Sequence, residues 1–329
     1  MNPKGDKQIW LHDFEPGRDR FRAEVLSGLR KPQKELPSKY FYDEHGSCLF
    51  ERICSSDEYY IPRTEGAIME THIEEMVELL GPSILLIEYG CGSGDKTRIL
   101  LDRLRKLVAY VPIDICRKQL LRVTRELTLA YPRLEVLPVC ADYTGGFELP
   151  VPKQPSERQV VYFPGSTIGN FDPIPAKLFL EHIAGVCGQG GGLLIGVDLK
   201  KDPAVLHRAY NDGQGVTAAF NLNLLERINR ELKADFQVQW FEHYAFYDPR
   251  QGRVEMHLVS QKDQTIHIAN ETIPLVKGES IWTESSYKYN LDEFEHMAAT
   301  SGFKVEHIWI DEQQWFSVQY LVNTGGTIP

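Results

Sequence analysis

The chain has 329 residues, long enough for one large domain or two modest ones, and its 42% apolar and 25% charged residues are those of an ordinary soluble globular protein. A formal net charge of -10 argues against a nucleic-acid-binding face, which needs clustered Lys and Arg. Six cysteines without Cys-x-x-Cys or Cys/His ligand spacing read as buried free thiols in a reducing compartment rather than as a disulfide framework or a zinc site. The histidines lack H-x-H or H-x-x-x-H spacing, so no metal is expected. No segment resembles a signal peptide and no apolar run approaches bilayer length. The expectation is a cytoplasmic monomer with neither nucleic-acid nor membrane partners.

Residues 1–35 are polar, with helical spacing from Phe21 to Leu29. The next stretch is dense in turn residues and in tyrosines, Tyr40, Tyr42, Tyr59 and Tyr60. Residues alone leave two readings, aromatic packing against the main domain or a pocket wall of phenol hydroxyls, and they favour packing. Pro62 suits a first helical turn, and Ile68, Ile73, Met76, Val77 and Leu80 give that helix an apolar stripe ending at Gly81-Pro82.

Ile84-Leu85-Leu86-Ile87 reads as a strand buried on both faces of a parallel sheet. Glu88-Tyr89-Gly90-Cys91-Gly92-Ser93-Gly94 follows, and a helical pattern opens at Lys96. Glycines there let backbone approach a ligand closely. The spacing is closer to the S-adenosylmethionine loop of methyltransferases than to a dinucleotide fingerprint. Leu107–Asp114 reads as the second strand, and Asp114 lies about twenty residues past the loop, where an acid binds ribose hydroxyls. Leu134–Tyr143 is a third strand whose closing Asp142-Tyr143 pair suits adenine; Gln159–Phe163 and Gly191–Asp198 are the fourth and fifth. Strands alternating with helical spacers imply right-handed βαβ units.

The alternation stops at Lys200. A helix over Val216–Ala234 precedes period-two segments at Phe236–Tyr247 and Arg253–Val259, with further antiparallel strands expected over Thr265–Pro274 and Ser280–Tyr287. Asn290 caps a helix to about Ser301, and Phe303–Ile310 and Trp315–Val322 close the chain as a strand pair.

Four blocks then resemble one family, the L-histidine Nα-methyltransferases of ergothioneine biosynthesis. They are Lys39-Tyr40-Phe41-Tyr42-Asp43 with Gly46-Ser47-x-Leu49-Phe50 and Glu58-Tyr59-Tyr60-x-x-Arg63-Thr64-Glu65; Gly165-Ser166-Thr167-Ile168-Gly169-Asn170; Tyr210-Asn211-Asp212 to Phe220-Asn221; and Thr283-Glu284-Ser285-Ser286 with Lys288-Tyr289. The resemblance reverses the preference for packing of the tyrosines. It implies an α/β fold, a Rossmann-like class I methyltransferase sheet with a second α+β substrate-binding domain inserted before the last strands. Residues 62–199 plus 290–329 would form the cofactor domain, and residues 1–61 plus 200–289 the substrate domain. It further implies S-adenosylmethionine as cofactor, held by Gly90, Gly92, Lys96, Asp114, Asp142 and Tyr143, and a small amino-acid substrate. Tyr59, Asn170 and Tyr210 would hold the substrate carboxylate. Tyr42 would lie beside its amine as the catalytic group, Glu284 and Ser286 would read the imidazole, and Thr217 and Met256 would line the same pocket. The cofactor loop departs from the family's usual Gly-Ser-Gly form, which leaves another amino acid such as tryptophan as an alternative substrate; a non-catalytic cofactor-binding partner protein is a separate alternative.

Overall fold

The protein is described by a computed structural model over residues 10–14 and 17–325; residues 1–9, 15–16 and 326–329, which the expected domain division also assigned, lie outside the described residues. Ile84–Tyr89 is buried along its whole length within a nine-stranded sheet. From one edge the strands run His12–Phe14, Val139–Ala141, Ala109–Asp114, Ile84–Tyr89, Arg158–Phe163, Gly192–Asp198, Phe316–Asn323 and Phe303–Ile310, with Glu135–Val136 paired onto Ala109–Asp114. Phe316–Asn323 is antiparallel to both neighbours, and the other pairings are parallel. This is the class I methyltransferase arrangement that the resemblance implies.

The unbroken apolar run has a simple cause. Successive side chains of a strand leave on opposite faces. Ile84 and Leu86 enter a core with Met69, Ile73, Met76 and Leu80 of the helix Ile61–Leu80. Leu85 and Ile87 enter another, with Phe179, Leu180 and Ile183 of the helix Pro173–Cys187 and with Phe294 of the helix Leu291–Ala299. Each such side chain contributes about 1.5–3 kcal/mol of burial free energy. Both faces are covered, so the glycine turn at the end of this strand has a rigid base.

A four-stranded sheet of order Lys34–Glu35, Ser280–Tyr287, Arg253–Ser260, Phe241–Asp248 draws its strands from before the helix Ile61–Leu80 and from the stretch beyond Gly192–Asp198. Gln264–Ile268 and Glu271–Leu275 form a separate hairpin. None of the six cysteines, all of them among the described residues, is in a disulfide. Among the described residues no helix is long and apolar enough to cross a membrane.

The structure differs from the sequence expectations at several points. The third strand is split into Glu135–Val136 and Val139–Ala141 around Pro138, which has no N–H for the ladder. The strand expected from Phe236 starts at Phe241, because the Asn229 side chain bonds both backbone groups of Phe236 at 2.8 Å and a 3-10 turn follows at Val238–Trp240. The preceding helix stops at Leu232, with Lys233 left-handed at φ 57°. His12–Phe14 extends the large sheet, although it falls in the stretch expected to join the substrate side. The helices Glu44–Cys54 and Pro203–Tyr210 are not among the elements the sequence pattern predicts.

The first of these helices is aimed by its start. Asp43 caps it through Gly46 N at 2.7 Å, and a Cβ on Gly46 would lie 1.8 Å from the Phe41 carbonyl oxygen. Gly46→Ala therefore pushes the Tyr40–Tyr42 turn off the helix. A loss of about 1–3 kcal/mol in urea unfolding is expected, the usual range for overpacking.

Candidate functional site

The parallel strands place their carboxyl ends on one edge of the sheet, the usual ligand edge of such folds. Two groups of residues meet there.

The first surrounds the glycine turn. Gly90 and Gly92 have φ of 79° and 50°, and a Cβ on either would meet nothing within 4 Å, so open space lies beside them. Gly94 shares the left-handed backbone, at φ 79°, but its Cβ would lie 2.9 Å from Val123, so its missing side chain serves helix packing rather than a ligand. Asp114 is buried next to the turn, accepting from Gly92 N at 3.2 Å and Cys116 N at 2.9 Å. Burial raises its pKa, and those two N–H groups oppose the rise. Lys96 pairs with the buried Glu65, whose carboxylate also accepts from Gly165 N at 3.0 Å. Glu65 thus ties the turn's helix to a second loop. Tyr143 packs edge-on against Tyr89 and Phe163. Asp142 is fully engaged: Oδ2 accepts from Lys39 at 2.8 Å and Arg20 at 3.0 Å, and Oδ1 from Thr144 N at 3.0 Å and Oγ1 at 2.5 Å. Burial disfavours its charge, yet Lys39 and Thr144 hold its pKa below the ordinary value. An open glycine cradle, a buried acid for hydroxyls, an ammonium for a carboxylate and a flat aromatic wall fit S-adenosylmethionine.

The second group lines a cavity between the sheets. Tyr42, Tyr59, Asn170, Tyr210, Thr217, Met256, Glu284 and Ser286 all border it, so every residue expected to touch the substrate meets in one place. Strand register explains part of this. Met256 is paired with Glu284 and Val254 with Ser286, so Met256, Glu284 and Ser286 leave the small sheet on one face. The loop Gly165–Asn170 comes from the large sheet, between Arg158–Phe163 and Pro173–Cys187.

Glu284 is the electrostatic anomaly of this cavity. Its carboxylate has no hydrogen-bond or ion-pair partner among the described residues, and burial lifts its pKa to about 7, partly countered by the Lys288 charge. The Glu284 side chain is only partly buried, and its carboxylate, with no partner among the described residues, is free to accept from a ligand N–H. Tyr42 also borders a second cleft, which reaches Ile115 and Cys116 beyond Asp114. Burial first, then the Glu284 charge, push its phenol well above the tyrosine range. It therefore stays protonated and can hold an amine but not take its proton as a phenolate.

Sequence reasoning did not single out three features. Phe50 and Phe220 border the cavity, with ring centroids 5.5 Å and 5.7 Å from that of Tyr42. Glu65 and the buried Lys288–Asp198 pair lie behind it. Both phenylalanines lie inside the blocks that carry the family resemblance, but nothing local tells a pocket wall from core. Among the described residues, no cluster of three or more His, Cys, Asp or Glu could hold a metal ion.

Residues 21–323 match the family described as "Histidine-specific methyltransferase, SAM-dependent". The chain is 38% identical over 307 residues to a histidine N-alpha-methyltransferase of Mycolicibacterium smegmatis, covering 92% of this chain and 94% of that one. It is 29% identical over 308 residues to ergothioneine biosynthesis protein 1 of Neurospora crassa, covering 88% of this chain and 33% of that longer one. An L-tryptophan methyltransferase of Psilocybe serbica is 27% identical over 338 residues, covering 93% and 94% of the two chains.

Proposed function

The chain belongs to the histidine-specific, S-adenosylmethionine-dependent methyltransferases, and from that premise we propose that it methylates the α-amino group of free L-histidine three times, giving hercynine, the first step of ergothioneine biosynthesis. The observation that carries the substrate is Glu284, a partly buried carboxylate that borders the cavity without a partner among the described residues. An imidazole N–H supplies that partner. We place the reaction in the cytoplasm and on a monomer.

S-adenosylmethionine, when bound, supplies an electrophilic methyl on a sulfonium. Gly90, Gly92, Lys96, Asp114 and Tyr143 are the residues we assign to holding it; Asp142, expected to join them, has its carboxylate taken up by Lys39, Arg20 and Thr144 and instead fixes the loop that carries Tyr143. Tyr59 and Asn170 take the substrate carboxylate, since neither the Tyr59 hydroxyl nor the Asn170 amide has a hydrogen bond among the described residues to give up first; the Tyr210 hydroxyl, expected to join them, gives its O–H to Ser286 at 2.8 Å and accepts from Lys288 at 3.0 Å, so it holds the ring-reading serine instead. Glu284 and Ser286 take the ring. With both ends of histidine fixed, the amine is held beside Tyr42, and alignment supplies most of the rate. Each transfer forms a N–C bond with the nitrogen lone pair and returns the S–C electron pair to sulfur. The amine must therefore shed one proton before each of the three steps. A neutral Tyr42 does not accept it, and Glu284 is committed to the ring, so the proton leaves to water and the site takes the neutral amine. Tyr42, Phe50 and Phe220 present aromatic surface to a nitrogen that gains methyls, and ring faces receive a quaternary ammonium well.

Mass spectrometry of histidine incubated with enzyme and excess S-adenosylmethionine tests the reading. Histidine carrying three added methyls is expected, with mono- and dimethyl species appearing first. Turnover of tryptophan in preference to histidine would replace the substrate assignment, and absence of methyl transfer to any free amino acid would sink it.

A further inference from the structure

Behind Tyr210 and Ser286 lies a lysine buried away from the cavity. The Lys288 side chain is 0% exposed, and its ammonium spends all three N–H bonds on fixed partners: Asp198 Oδ2 at 2.8 Å, the Tyr210 hydroxyl at 3.0 Å and Ser286 Oγ at 2.7 Å. Asp198 ends the strand Gly192–Asp198 and is itself held by Lys201 at 2.5 Å and Tyr60 at 2.8 Å. Desolvation works against the Lys288 charge, but Asp198 and Tyr210 more than reverse it, so the lysine stays protonated. Its place two residues after Ser286 puts it on the same strand face, one step beyond the end of Ser280–Tyr287.

Counting valences at Ser286 gives the consequence. Its Oγ accepts from Lys288 and from the Tyr210 hydroxyl at 2.8 Å. A hydroxyl has two lone pairs and one O–H. Both lone pairs are filled, so the only valence Ser286 can offer the cavity is its O–H. Glu284, two residues earlier on the same face, offers only acceptors once ionised. We infer that Lys288 is a specificity-determining positioning residue: it locks Ser286 as a donor, so that Ser286 and Glu284 together read a ring bearing one bare nitrogen and one N–H. This deepens the histidine reading and rests on it. A neutral imidazole satisfies both groups. An indole has an N–H and no bare nitrogen, and an imidazolium has no bare nitrogen either; each leaves the Ser286 donor facing a group that cannot accept. A site that hydrogen-bonds a ring atom rejects rings lacking it far more strongly than an apolar pocket could.

The test compares wild type, Lys288→Met, Ser286→Ala and the double variant, with L-histidine and L-tryptophan as probes. S-adenosylhomocysteine titration reports that the cofactor half is intact. Lys288→Met frees a lone pair on Ser286 and lets its hydroxyl turn, so KM for histidine is expected to rise about 10-fold or more, with kcat changed much less, the pattern of lost ground-state binding. The histidine-over-tryptophan ratio of kcat/KM falls about 10-fold. Ser286→Ala gives the same fall, and Lys288→Met adds little on top of it, since residues acting through one another are not additive. A lysine that only supported the fold would lower both substrates together and add its effect to that of Ser286→Ala; that result, or an unchanged substrate ratio, overturns the inference. If Lys288→Met does not fold, Ser286→Ala alone decides, because an unchanged ratio there removes the donor on which the inference depends. A wild type that prefers tryptophan would instead overturn the histidine reading itself.

Discussion

Glu284→Gln is expected to lower kcat/KM for histidine by about 100-fold while raising the stability of the ligand-free protein at pH 8. The first effect is the loss of a charged acceptor for the imidazole N–H, worth about 1.5–3 kcal/mol. The second follows from the sign of the pKa shift. Burial lifts the Glu284 carboxyl to about 7, against about 4.3 for a free glutamate. A raised carboxyl costs nothing where both folded and unfolded forms are protonated, and its penalty grows as pH rises through the folded pKa. At pH 8 the wild-type protein therefore carries roughly 3 kcal/mol of penalty that the amide does not. The gain from Glu284→Gln shrinks to near zero by pH 4. Denaturant unfolding at the two pH values checks it, and equal stability of the two proteins at pH 8 would refute the buried-charge argument. Activity carries the same signature. Wild-type kcat/KM gains a rising limb near pH 7 as Glu284 ionises, and Glu284→Gln keeps only the limbs of the substrate's own imidazole and amine. Identical profiles would take Glu284 out of ring recognition.

The parts of this molecule that are legible in its sequence are those set by local pattern. Four consecutive apolar residues at Ile84–Ile87, glycines after them and Asp114 one strand later mark the sheet and its ligand edge without any tertiary knowledge. Asn290 and Glu293 form the capping box that their spacing announces. Other features fail for identifiable reasons. The helix Glu44–Cys54 carries Gly46 and Ser47, turn formers by composition, because Gly46 must pass the Phe41 carbonyl. Lys34–Glu35 and His12–Phe14 are too short to show a period, and they exist because neighbouring strands offer free edges. Period two identifies Phe241–Asp248 as a strand but cannot say where its ladder begins, which depends on Asn229 in the preceding helix. In the cavity, the block Thr283–Ser286 pointed at the ring-reading residues through resemblance alone. That Glu284 lacks a partner while Lys288 has three is a fact of three dimensions.

The largest loss of cofactor binding is expected from Asp114. Its two oxygens are already placed by Gly92 N and Cys116 N, so the carboxylate fixes the glycine turn and the start of the next helix together. Asp114→Asn turns one acceptor oxygen into an amide NH2 that must face a backbone N–H, so the variant loses a bond and gains a donor–donor conflict in a buried place. It also loses the charge that would hold ribose hydroxyls. A rise in the S-adenosylhomocysteine dissociation constant of about 100-fold is expected, equivalent to roughly 2.7 kcal/mol. In calorimetry and in thermal unfolding, the stabilisation that excess ligand gives wild type should then largely vanish. Glycine variants separate this from mere loss of turn geometry. Gly92→Ala puts a methyl into the open space beside the turn and should weaken ligand binding more than it weakens the fold. Gly94→Ala drives a methyl against Val123, 2.9 Å away, and should do the reverse. Were all three variants to bind S-adenosylhomocysteine within threefold of wild type, the turn would be structural and the cofactor would lie elsewhere. The opposite responses of Gly92 and Gly94 are what a cradle requires, since only one of the two glycines borders the space that a ligand can use.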